Sequence, residues 1–169
     1  MMTTAGRPRT SSKETIADAA AELFLENTYS GTTIDQITQR AGVSRATFFN
    51  YFAAKTDLLW VDVDAAIAEL SADCGDDLRA SVLAVAAGFS GRRVPLALSQ
   101  SEVMGSSDEI LQSGLVRVAA LARVFQRTAG RTEAYVLAGA VSAGWLDWVR
   151  AGIGRDPLAA YLESSLAHA

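Results

Sequence analysis

The chain has 169 residues, half of them apolar, with 15 basic against 19 acidic side chains and a net charge of −4. That length and composition suffice to bury a core in one domain or two small ones, and the negative balance argues against indiscriminate attraction to nucleic acid. The single cysteine, Cys74, excludes an intramolecular disulfide; metal-ligand spacings of Cys and His are missing, and the charge-free residues 134–146 fall short of the roughly 18 apolar residues of a membrane-spanning helix.

In chain order, the N-terminal MMTTAGRPRT is polar and has no apolar signal core, so residues 1–10 are expected to be a disordered tail and the chain cytoplasmic. Ser11 and Glu14 then form a capping-box pair, and Ile16, Ala19, Ala20, Leu23 and Phe24 make the apolar stripe of a first helix. Thr33 and Gln36 repeat the capping-box pattern for a second helix, whose inner face is Ile34, Ile37 and Ala41 and whose end is marked by Gly42. Ser44 is an N-cap for a third helix beginning at Arg45. Phe48 and Phe52 lie four apart and face inward, which turns Phe49, Asn50 and Tyr51 outward. Two short helices around an Ala41-Gly42 corner have helix-turn-helix geometry, in which the start of the second, here Arg45, Ala46 and Thr47, lies against base edges in a DNA major groove.

These residues also resemble the N-terminal domain of TetR-type bacterial transcriptional repressors, over residues 13–59. The likeness lies in Thr32-Thr33-Ile34, Ala41-Gly42-Val43-Ser44, Thr47-Phe48-Phe49, Tyr51-Phe52, and Lys55 with Leu58-Leu59. It implies Thr33, Thr47, Tyr51 and Lys55 on DNA phosphates and Arg45, Ala46 and Phe49 near bases; the helical facing set by Phe48 and Phe52 adds Asn50 to the base contacts. Three departures stand out. Thr28 replaces a helix-ending glycine, so Asn27 is expected in the left-handed position; Phe49 replaces a common tyrosine; and Ala54 leaves the fourth helix uncapped unless Asp57 compensates. Arg7 and Arg9 are placed to form a minor-groove arm. Residues 1–60 hold six basic and six acidic side chains, which favours a specific, dimer-dependent reader over a sequence-blind one.

Beyond residue 59 the pattern stays helical. Leu59, Val63, Ile67 and Leu70 extend the fourth helix, Leu78 to Ala87 form a fifth, residues 89–95 a loop and residues 96–104 another helix. Asp108 and Glu109 open a helix with the stripe Leu111, Leu115, Val118, Ala122 and Phe125, ending at Gly130. Thr132 is expected to cap the most apolar helix, and residues 134–146 are uncharged all round, so that helix must be buried twice: on the interior, through Leu137, Val141, Gly144, Trp145 and Trp148, and on a second copy. With the final helix around Leu158, Tyr161, Leu162 and Leu166 it makes the expected dimer interface, assigned to Gly139, Ala140, Ala143 and Leu162. The resemblance implies that this second part binds an effector. Phe89, Met104, Phe125 and Trp145 are the candidate pocket residues, with Gln100, Glu102 and Arg117 able to orient a ligand.

No catalytic set appears, since His168 is the only histidine and no phosphate-binding loop is present; neither an enzyme nor a cofactor or metal is expected. The predicted fold is all-α: a three-helix helix-turn-helix DNA-binding domain over residues 11–54, joined by a long helix to a helical effector-binding and dimerisation domain over residues 55–169. The predicted function is a homodimeric, sequence-specific repressor of a near-palindromic operator, released by a small apolar or amphipathic molecule. The alternative is a dimeric helical small-molecule-binding protein that keeps the fold without operator binding.

Overall fold

A computed structural model describes residues 12–89 and 94–169. Arg7 and Arg9 of the expected arm, Ser11 of the first capping box and residues 90–93 of the loop lie outside them. The described residues form nine α-helices and one 3-10 segment, with no strand: α1 (Ser12–Asn27), α2 (Ile34–Ala41), α3 (Arg45–Tyr51), the 3-10 segment (Lys55–Trp60), α4 (Val61–Ala72), α5 (Leu78–Ala87), α6 (Leu96–Ser99), α7 (Ser107–Phe125), α8 (Arg131–Arg150) and α9 (Leu158–Leu166).

The first three helices pack on one another through Ile16, Ala20, Leu23, Phe24, Ile37, Phe48 and Phe52, all buried. The α1 stripe is the one its periodicity indicates. The α1–α2 connection differs from expectation, because Thr28 and not Asn27 takes the left-handed conformation, at φ 65°. Its strain is held by local bonds: the Thr28 carbonyl accepts from the Thr32 hydroxyl at 2.8 Å, and the same hydroxyl reaches the Leu23 carbonyl at 3.1 Å. The glycine this loop requires is Gly31, where a Cβ would come within 2.2 Å of the Asn27 carbonyl oxygen.

After α3 the chain does not enter a regular α-helix at Lys55. It winds first as a 3-10 segment, and α4 begins only at Val61, after Trp60. Ala54 has no side chain to cap this start. The Asp57 carboxylate does so by accepting from the Ala54 N–H at 3.0 Å, so the expected compensation is a direct hydrogen bond.

In the remaining helices α5 has its expected bounds, whereas α6 is one turn long and residues 100–105 are turns. The N-cap of α8 is Gly130, and Arg131 opens that helix where Thr132 was the expected cap. The α7 stripe is buried only in its second half: Ala122 and Phe125 are fully enclosed, but Leu111 and Leu115 are 77% and 74% exposed. Periodicity marks an apolar flank; which neighbour covers it is decided by where α8 runs.

α8 packs against both α7 and α9. Leu162, expected on the dimer interface, is instead 1% exposed and seated against Gly144, so it is consumed inside the chain. A Cβ on Gly144 would meet Ser165 Oγ at 2.7 Å, Leu162 Cδ2 at 2.9 Å and the Tyr161 carbonyl at 3.1 Å. Gly144→Val is therefore expected to lower stability by about 3 kcal/mol, the upper range for overpacking. A urea unfolding midpoint equal to that of the wild type would show that α9 moves aside freely.

Candidate nucleic-acid interface

Both caps of the helix-turn-helix form as their spacing dictates. Thr33 Oγ1 accepts from the Gln36 N–H at 3.2 Å while the Gln36 side chain takes the Thr33 N–H at 2.8 Å. Gly42 closes α2 at φ 67°. Ser44 Oγ accepts from the Thr47 N–H at 3.0 Å and shares a hydrogen with the Thr47 hydroxyl at 2.8 Å, so both side chains are committed to the start of α3. Phe48 is fully buried against Phe52, and this anchors the helix with Arg45, Ala46, Phe49, Asn50 and Tyr51 all exposed on its free side. Five predicted contact residues are thus brought onto one surface.

Arg45 is not loose on that surface. Its guanidinium is ion-paired with Asp35 in the first turn of α2 and lies 5.4 Å from the Phe49 ring centroid. Asp35 is a partner that sequence reasoning missed, ten residues away with no motif to mark it. Arg40 belongs to a different job: it joins Glu22 at 3.2 Å and Glu26 at 2.8 Å on α1, bracing α2. Its hydrogen bond holds the Glu26 carboxyl below the usual carboxylate range.

Lys55 also points elsewhere. Its ammonium donates to the backbone carbonyls of Tyr29 and Thr32, both at 2.8 Å, and sits 4.1 Å from the Tyr29 ring centroid. Burial pulls this amine below the usual lysine range, against the attraction of Glu109. Burial, with the charges of Glu109 and Asp57, pushes the Tyr29 hydroxyl up to about 12, so the ring stays neutral beneath the ammonium. Two of the three ammonium donors are spent inside the module.

Residues 16–59 match the family described as bacterial regulatory proteins, tetR family. The match is confined to this module, which is similar to the DNA-binding domain of that family. A protein of Mycobacterium tuberculosis named as the mycofactocin biosynthesis transcriptional regulator MftR is 33% identical over 88 residues, covering 47% of this chain and 44% of that relative, so the shared region is less than half of either. A transcriptional regulator from Streptomyces coelicolor is similar in fold, with a TM-score of 0.56 at 17% identity over 94% of this chain and 98% of that one. NalD of Pseudomonas aeruginosa, the secondary repressor of the MexAB-OprM multidrug efflux pump, has a TM-score of 0.51 at 19% identity over 92% and 94% of the two chains.

In the rest of the chain the four candidate pocket residues do not share one role. Phe89 and Trp145 meet edge to face at 4.8 Å, Phe125 is fully buried, and Met104 is fully buried with its backbone carbonyl accepting from Tyr29 N–H at 2.6 Å. A groove of about 340 Å³ opens instead between α4 and α7, lined by Asp64, Ile67, Ala68, Ser71, Ala120, Arg123, Val124 and Arg127. Arg117, expected to be available to a ligand, is committed to Asp57 and Asp64. On α8, Gly139 and Ala143 lie on the exposed side, continuous by helical spacing with the exposed apolar Val136 and Leu146; Ala140 is half-buried. Among the described residues no helix is long and apolar enough to cross a membrane.

Proposed function

We propose that this chain is a sequence-specific DNA-binding transcriptional repressor that acts as a homodimer. The observation that supports this best is the free surface of α3, where Arg45, Ala46, Phe49, Asn50 and Tyr51 are exposed together on a helix anchored from behind by Phe48. α3 is seven residues long, and a helix of that size fits a major groove end-on with its first turn against the bases. Arg45 reads a guanine edge in this scheme, while Thr33, Thr47 and Tyr51 face the phosphates. Asp35 and the Phe49 ring hold the guanidinium in place before DNA arrives, which reduces the ordering cost on binding. Phe49 has no hydroxyl and offers apolar contact to a thymine methyl.

A small amphipathic molecule is the proposed release signal. The α4–α7 groove suits it better than the aromatic set does, since Ile67, Ala68, Ala120 and Val124 line it with Arg123, while Arg127 at its edge is already bonded to Ser71. A ligand releases DNA only if it favours the arrangement in which the two readers are wrongly spaced.

The test is selection of duplexes from a random pool, followed by titration of the enriched operator. Arg45→Ala is expected to cost about 1–3 kcal/mol on the matched operator and to relax preference at one base pair of each half-site. An Arg45→Ala protein that keeps the wild-type ranking of matched and mismatched duplexes would remove Arg45 from base reading. Failure of the wild-type protein to enrich any sequence would remove the function.

A further inference from the structure

The joint between the reader and the rest of the molecule is built around Arg117 on α7. Its Nε and Nη2 take the two oxygens of Asp64 on α4, at 3.1 and 3.0 Å, and Nη2 also reaches Asp57 Oδ1 at 2.9 Å. The other oxygen of Asp57 accepts the Ala54 N–H at 3.0 Å, in the turn that follows α3. One carboxylate therefore holds both the exit of the recognition helix and a helix some sixty residues later in the chain. The guanidinium lies 5.3 Å from the Trp60 ring centroid, and the Trp60 indole N–H donates at 2.8 Å to Ser113, one turn before Arg117. Only 13% of the Arg117 side chain is exposed. Burial works against its charge, and the hydrogen bonds it donates to Asp64 and Asp57 outweigh that and hold the guanidinium above the usual arginine range.

We propose that Arg117 is a positioning residue for operator recognition, one that touches no DNA and fixes the pitch of α3 relative to the helices that carry the dimer. The proposal rests on the operator reading above. A fork to a carboxylate sets direction as well as distance, because both guanidinium N–H groups must lie in the carboxylate plane. With Asp64 and Asp57 gripped together over Trp60, the 3-10 segment and the first turn of α4 cannot rotate against α7. Without the guanidinium Asp64 and Asp57 lose the cation that bridges them, Asp57 keeping only its bond from the Ala54 N–H, and the joint is free to open. The pitch matters because two recognition helices must enter major grooves about 34–36 Å apart. A reader on a loose joint still fits one half-site but no longer presents the second at a fixed spacing.

The experiment uses the full chain and the operator enriched by the wild-type protein, synthesised with its native spacer, with spacers changed by one and two base pairs, and as a single half-site. Each added base pair moves a half-site by about 3.4 Å and about a tenth of a turn. The wild-type protein is expected to lose roughly tenfold or more on the altered spacers. Arg117→Gln is expected to bind the native operator about tenfold more weakly, near the low end of usual coupling between sites, to bind the half-site as the wild type does, and to lose little more on altered spacers. Arg117→Lys, which keeps the charge without the fork, is expected to fall between them. Asp64→Asn breaks the fork while leaving the Asp57 contact, so it serves if Arg117→Gln fails to fold, and it is expected to flatten the spacer dependence in the same way. Equal weakening on half-site and full operator, or wild-type spacer dependence in both variants, overturns the proposal while leaving the operator reading intact. A wild-type protein that enriches no duplex overturns both.

Discussion

Ala143→Asp is expected to convert the protein to a monomer in sedimentation velocity and to weaken operator binding by roughly 10²- to 10⁴-fold, the usual span of avidity lost with a second site. The reasoning starts from α8. Its inner side is filled by Ala134, Ala138, Val141, Trp148 and Val149, all buried, yet its outer side is apolar too: Tyr135, Val136 and Leu146 are 39–46% exposed, with Gly139 and Ala143 between them. Small residues there let a second helix approach closely, and two copies of the face related by a twofold axis are self-complementary. A carboxylate at its centre is desolvated on association without a partner. Helicity by circular dichroism and binding to a single half-site should stay at wild-type levels, since Ala143 is outside the core. A variant that remains dimeric sinks the α8 interface. The next surface to test is then α7, where Leu111 and Leu115 are also uncovered.

Lys55→Met is expected to destabilise the chain by about 3 kcal/mol, as read by the midpoint of chemical unfolding. The thioether keeps the stem packed over Tyr29 and removes the ammonium head. What is lost is two hydrogen bonds from an ammonium to the Tyr29 and Thr32 carbonyls, each worth about 1.5–3 kcal/mol when the donor is charged. The sum is discounted because the site is partly open to water. Those carbonyls belong to the α1–α2 connection, the segment that holds Thr28 in its left-handed conformation, so its failure would release α1 from α2. The expected companion result is a salt dependence of operator affinity with an unchanged slope at temperatures where the variant is folded. A slope reduced by about 0.9, the signature of one lost phosphate contact, would return Lys55 to the DNA surface.

Much of the reader was legible in the sequence because its determinants are short-range. Thr33 with Gln36 and Ser44 with Thr47 are bonded pairs three residues apart, Gly42 sits at the end of the helix it stops, and Phe48 with Phe52 reports one helical face. The direction of Arg45, Lys55 and Arg117 was not legible. Each is a long cation whose head is satisfied by whichever acceptor the fold brings near, and for Lys55 and Arg117 those acceptors lie 23 to 60 residues away. The same holds for Gly31, where the need for glycine comes from a carbonyl one loop-turn earlier, and for Leu162, whose apolar character fits either an interior or an interface.

The sequence by itself determined most of the helices, though not the one-turn length of α6 or the 3-10 start of α4, together with the corner between α2 and α3 and the likeness to TetR-type readers, since caps, periodicity and turn residues act within a few positions of one another. Only the tertiary structure decided which residues remain exposed. That depends on which apolar flanks and charged heads are already covered, and covering is a property of distant segments: α8 buries Leu162 and leaves Ala143 open, α7 engages Asp57 through Arg117, and the α1–α2 loop takes Lys55 from the surface the motif had assigned it.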